Sequence, residues 1–192
     1  MSLEKIQAVI QSSIAVKEAI YQSEIILKQI NELAELCLQS LKADGKVIFA
    51  GNGGSFADSQ HLAAEFISRL QFDRAPLASV ALGTNSSSTT AIGNDYGYDQ
   101  IFVRELMAIA RPGDVFIPIS TSGNSKNIIS TIETAKSMKL PVVALTGESG
   151  GILKGLVDCI CVPSNRTERI QESHIMIGHI ICGLVEDKFF LK

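Results

Sequence analysis

His61 and Glu65 stand four residues apart in a stretch patterned as a helix over 56–70. On a regular helix that spacing is about 40° around the axis and about 6 Å along it, so an imidazole and a carboxylate share one face. They are close enough to share a metal ion or a proton, and Asp58 lies one turn earlier. Such pairs are common as plain surface contacts. This one, however, follows Gly51-Asn52-Gly53-Gly54-Ser55, a turn leading from a strand into the helix. The turn is either a tight connection or part of a ligand site, and Asn52 at the strand end favours the second. Another loop, Ser120-Thr121-Ser122-Gly123-Asn124-Ser125, sets four hydroxyls and a run of backbone N–H groups at a helix start. The helix dipole favours an anion there. Lacking the lysine of a P-loop and the G-x-G-x-x-G spacing, this loop suits a compact sugar phosphate better than a nucleoside triphosphate. The plain alternative is a polar turn with serine caps. Near the C-terminus, Arg169-Ile170-Gln171-Glu172 leads into His174 and His179. These two histidines are about 140° apart on a helix, too far around for one ion. His174 is expected as a core histidine, and His179, flanked by Ile175, Ile180 and Ile181, has that reading open to it too.

The elements that would position these residues are legible as periodicity. Apolar runs at 47–50, 78–82, 115–120, 142–146 and 159–162 are continuous rather than alternating, as in strands buried on both faces. Helical stretches near 56–70, 99–110, 126–138 and 166–190 separate them. The expected fold is therefore α/β: a doubly wound, five-stranded parallel sheet flanked by helices. Ligands of such sheets bind beyond the carboxyl ends of the strands, where both unusual loops fall. Residues 2–43 form an N-terminal helical pair, with Leu3, Ile6, Val9 and Ile10 in the first helix. Ile25, Ile26, Ile30, Leu33, Leu36, Cys37 and Leu41 make a broad stripe on the second. The helical pair, that stripe included, is expected to pack against its own domain and to form an oligomer interface. The chain is read as one domain over 1–192, with the helical pair at 1–43 and the α/β core at 46–192.

Composition narrows the class. In 192 residues, 46% are hydrophobic and 19% charged, enough to bury a core and too apolar for disorder. Seventeen basic residues against 20 acidic ones give a net charge of -3, with no global basic field for nucleic acid. No apolar run approaches the roughly 18 residues of a membrane span, and the start, MSLEKIQ, is not patterned as a signal peptide. A cytoplasmic protein without nucleic-acid or membrane partners is expected. The four cysteines have no C-x-x-C spacing and are read as reduced, mostly buried thiols.

The glycine-rich turn with His61 and Glu65, Gly93-Asn94-Asp95, the Ser120–Ser125 loop, Leu145-Thr146-Gly147, and Arg169-Ile170-Gln171-Glu172 with His179 together resemble the bacterial phosphoheptose isomerases. These are sugar-isomerase (SIS) domain enzymes, and the resemblance covers essentially the whole chain. It implies an aldose–ketose isomerase that converts sedoheptulose 7-phosphate to glycero-manno-heptose 7-phosphate, for the heptose of lipopolysaccharide core or another surface carbohydrate. It implies a homotetramer with active sites at subunit boundaries, and one zinc per subunit. By position, Ser120, Thr121, Ser122 and Ser125 would hold the phosphate, and Asn52, Gly53, Gly54, Asn94, Asp95 and Gln171 would line the sugar. Glu65, which also touches the substrate, and His179 would be the proton-handling pair, on opposite sides of the sugar. His61, Glu65, Gln171 and His179 would hold zinc, a role in tension with Glu65 as a free base. Glu168 stands where many relatives have aspartate. The rival classes are a non-catalytic SIS protein that binds the replication initiator as a tetramer and a sugar-phosphate-sensing domain of a transcription regulator. Glu65 together with His179 favours the enzyme.

Overall fold

The computed structural model describes residues 2–191. Serines start both N-terminal helices. Ser2 accepts the Lys5 N–H at the head of α1 (Leu3–Gln22), and Ser23 ends α1 and caps α2 (Glu24–Lys42) by accepting the Ile26 N–H. Five strands follow: β1 (Val47–Gly51), β2 (Ser79–Ala81), β3 (Val115–Ser120), β4 (Val143–Thr146) and β5 (Asp158–Cys161). All pair in parallel, in the order β2-β1-β3-β4-β5. Each lies within one residue of the apolar run expected for it. The helices between and after them are α3 (Gly54–Ile67), α4 (Ser86–Tyr96), α5 (Ile101–Ile109), α6 (Lys126–Ser137) and α7 (Thr167–Phe190).

Strand side chains alternate between two cores. Phe49, Ile117 and Leu145 join α2, α3 and α7 on one face, while Ile48, Phe116 and Ala144 join α5 and α6 on the other. From β1 the chain crosses to β2 on one side and later returns to β3 on the other. The loops after β1 and β3 thus part at a topological switch point, where open α/β sheets bind ligands.

Two expectations are corrected. Most of the apolar stripe of α2 is not an external face: Ile26, Ile30, Leu33, Cys37 and Leu41 are buried against their own chain, chiefly beneath α7, while Leu36 is half-buried and Ile25 exposed. The external apolar face belongs to α1, where Leu3, Ile6, Val9, Ile10 and Ile14 are all exposed. Polar ties hold α1 to the core: Ser13 Oγ donates to Glu172 at 2.7 Å, and Arg169 donates to the Val9 carbonyl. The second correction is α4, a helix absent from the periodicity. Its serines and threonines are weak helix formers. Asn85 nevertheless caps it by accepting the N–H groups of Ser87 and Ser88, and α4 packs on α5.

Candidate active site

Helices α3 and α7 run side by side in the same direction, Gly54 meeting Gln171 at one end and Leu62 meeting Gly178 further along. The approach is close: a Cβ on Gly178 would sit 2.4 Å from Leu62 Cδ2. This packing carries His179 to His61. The two Nε2 atoms are 2.9 Å apart, with the rings edge to face, and His61 Nε2 is 3.2 Å from Glu65 Oε1. At least one imidazole must donate to make such a contact favourable. Among the described residues this is the one trio of His, Cys, Asp or Glu whose ligand atoms all lie within 4.8 Å of one another. Two tetrahedral Zn–N bonds of about 2.0–2.1 Å would hold their nitrogens about 3.3 Å apart, and His₂Glu is a familiar catalytic zinc set. The trio therefore fits a zinc ion. Gln171 packs on Gly54 of the same chain, eight residues and about 12 Å of helix before His179. The expectation of Glu65 and His179 on opposite sides of a sugar is also revised: within one chain they address the same small volume.

At the switch point, Asn52 is committed to a network. Its amide and that of Asn127 donate to each other at 2.9 Å both ways, and the Tyr98 hydroxyl donates to Asn52 Oδ1 at 2.9 Å. Asn127 is buried, so the pair ties the loop after β1 to the first turn of α6. Neither Asn127 nor Tyr98 carried a sequence signal, because a lone polar residue on a helix says nothing of its partner across the sheet. Beside this network, Asn52, Gly53, Phe56, Thr89 and Tyr98 help line a cavity of about 160 Å³. Asn94 and Asp95 are exposed at the end of α4, where the Asn94 amide donates to the Asp95 carboxylate.

The loop after β3 divides its hydroxyls. Ser120 is buried, with its Oγ 3.1 Å from that of Ser125, at the head of α6. Thr121 and Ser122 line a cavity of about 460 Å³, together with Gly147, Ser149, Ser164 and Thr167. Glu148 is also on its wall, and among the described residues no lysine or arginine is. An anion there would depend on hydroxyls, amides and the α6 N-terminus. Ser122 Oγ also accepts the Asn124 N–H, closing the turn in which Gly123 takes a positive φ of 66°. That glycine is required twice over, since a Cβ would lie 2.0 Å from the Gly150 carbonyl oxygen.

Three further ionisable groups border the site. His174 is fully buried, with Nε2 3.1 Å from the Thr146 carbonyl and Nδ1 without a hydrogen-bond partner. Burial holds it neutral, down to about 4 despite that bond. Burial likewise pushes the Asp58 carboxyl up to about 6, opposed by the charge of His61. Glu168 is exposed and paired with Arg166.

Comparison with known proteins identifies the family and the fold. The family model for the SIS domain matches residues 10–147. Phosphoheptose isomerase of Aneurinibacillus thermoaerophilus is 54% identical over 96% of this chain and 94% of its own. That of Sulfurimonas denitrificans is 50% identical over 94% and 93%. Among solved structures, phosphoheptose isomerase from Neisseria gonorrhoeae superposes with a TM-score of 0.89 at 42% identity, over 96% of this chain and 98% of that one. The Francisella tularensis protein superposes with a TM-score of 0.91 at 34% identity, over 97% and 99%. The chain therefore belongs to the SIS-domain phosphoheptose isomerases, a family of sugar-phosphate isomerases.

Proposed function

We propose that the protein interconverts sedoheptulose 7-phosphate and glycero-manno-heptose 7-phosphate, the entry to heptose for lipopolysaccharide core or another surface carbohydrate, as a cytoplasmic homotetramer. The observation that carries this reading is the His61–Glu65–His179 trio at one end of a strip along α7, with the hydroxyl-lined cavity at the other. Ile170 lines that cavity and His179 lies nine residues on, about 13 Å along the helix. An open-chain heptulose phosphate has the same layout, with reacting carbons at one end and phosphate at the other.

The reaction moves one proton from C1 to C2 and another between the two oxygens, through an enediol. Glu65 takes the C1 proton and returns it to C2. Because Glu65 and His179 share one volume, the carbon proton stays on one face of the enediol while His179 exchanges the oxygen proton. His61, 3.2 Å from Glu65, orients the carboxylate. His61, Glu65 and His179 would hold zinc, which when bound polarises the carbonyl. Thr121, Ser122 and the α6 N-terminus hold the phosphate, with Ser120 and Ser125 beneath. Asn52, Gly53, Gly54 and Gln171 contact the sugar, and Asn94 and Asp95 reach it in the assembled tetramer. Retention of the complete trio argues against a binding-only role.

Purified protein incubated with sedoheptulose 7-phosphate is expected to form the aldose, followed by NMR. Glu65→Gln keeps the shape and removes the base, so kcat should fall roughly 100-fold or more with the fold intact. No aldose from the wild type overturns the function, and near wild-type turnover by the variant overturns the role of Glu65.

A further inference from the structure

The last carbonyls of any α-helix lack intrahelical partners. At the end of α3 one guanidinium takes them. Arg74 Nη2 donates to the Glu65 carbonyl at 2.8 Å, and Nη1 donates to that of Phe66 at 2.6 Å. Its Nε donates to Glu186 Oε1 at 2.8 Å. Glu186, on α7, also accepts the N–H groups of Leu70 and Gln71, at 3.1 and 2.8 Å. Both side chains are essentially withdrawn from water, 3% exposed for Arg74 and 0% for Glu186. Burial works against the Glu186 charge, but the two N–H groups and Arg74 outweigh it and hold its carboxyl below the ordinary range.

The placement relates this pair to the trio. Glu186 lies seven residues beyond His179, about 20° around α7 and about 10 Å along it, so both address the same neighbour. The trio is thus bracketed between the Leu62–Gly178 contact and the Arg74–Glu186 pair. Arg74 touches the backbone of Glu65 itself. A fork of parallel donors fixes direction as well as distance, which a lysine at the same place cannot reproduce.

We propose that Arg74 and Glu186 are positioning residues that set the carboxylate of Glu65 against His61 and His179, in addition to joining α3 to α7. The proposal rests on the proton-handling reading of the trio. Its test uses two size-preserving variants, Arg74→Lys and Glu186→Gln, with kcat and KM measured per folded molecule well below each melting temperature. Misplacing a catalytic group by a fraction of an ångström costs turnover, so kcat is expected to fall about tenfold or more. KM should stay within about threefold, because the phosphate cavity is remote from the pair. Arg74→Lys retains a charge opposite Glu186, so its melting temperature should recover more than its kcat, relative to Arg74→Met. If either folded variant loses stability but keeps its kcat within about twofold, the pair is structural only and the proposal fails. Glu65→Gln run alongside separates the two readings: full activity there removes the proton-handling role, whatever the clamp variants do.

Discussion

His174 is fully buried near the trio and Asp58 half-buried, and burial moves them in opposite senses. His174 titrates near 4 in the folded chain and near 6.5 when unfolded. As pH falls between those values the unfolded chain gains a proton that the native one refuses, so stability is lost on acidification, by at most about 3 kcal/mol. Asp58 titrates near 6 when folded and near 3.8 when not. There the native chain binds the proton first, so its contribution is present at low pH and fades as pH rises through 6. Between about pH 4 and 6 the two slopes oppose each other. Asp58→Asn removes only the second. Its melting temperature should therefore drop more steeply than that of the wild type from pH 6.5 to 4.5, as read by thermal unfolding. Parallel curves for the two proteins would show that Asp58 does not hold its proton in the native state.

The pairing of α3 with α7 converts sequence-distant residues into a site, and it rests on a glycine. Alanine is the better helix former by about 1 kcal/mol, so Gly178→Ala should help α7 taken alone. In the fold the new Cβ meets Leu62, which is completely buried and has no room to retreat. Overpacking of this kind typically costs 1–3 kcal/mol. The expected result is a lower melting temperature and a loss of kcat larger than the loss of folded protein, because His179 adjoins the displaced residue. A Gly178→Ala enzyme as stable and as fast as the wild type would mean that the helices slide freely at this contact. The loop after β3 is less sensitive to helix spacing, since Gly123 and Ser122 secure it locally.

At the scale of the molecule, α1 presents Leu3, Ile6, Ile10 and Ile14 to water at spacings of three and four. Its ties to Glu172 and Arg169 are polar and lie at its middle, beside the head of α7. An exposed apolar ridge on a helix held by so few contacts is where the proposed tetramer would close. The double substitution Ile6→Asp, Ile10→Asp should lower the mass in light scattering while the far-ultraviolet circular dichroism stays native. Ile30→Asp should behave differently. Its carboxylate would be buried in its own chain, beneath α7, and the protein should unfold rather than dissociate. A wild type that runs as a monomer at micromolar concentration would remove the tetramer, and a double variant that stays assembled would move the interface off α1.

Local order in the chain determined much of this protein. The five strands follow from continuous apolar runs, the loops from glycine and hydroxyl clusters, and the sharing of one face by His61 and Glu65 from helical spacing alone. Each depends on neighbours within a few residues, where period and propensity operate. His174, expected as a core histidine, is fully buried, whereas the isoleucines flanking His179 did not make that histidine a core one. The tertiary structure decided what depends on partners far away in the chain. It brought His179 to a histidine 118 residues earlier, bound Asn52 to Asn127, and set Arg74 on Glu186. It packed Gln171 on Gly54 of the same chain, and it turned most of the α2 stripe inward while leaving one apolar face of α1 exposed. A charged residue in the apolar run Ile180-Ile181-Cys182-Gly183-Leu184-Val185-Glu186 marks something buried and paired, but not its partner. An amphipathic stripe has the same period whether it faces its own core or another subunit. Only the packing of whole helices against the sheet distinguishes the two, because that packing decides which apolar area is already covered.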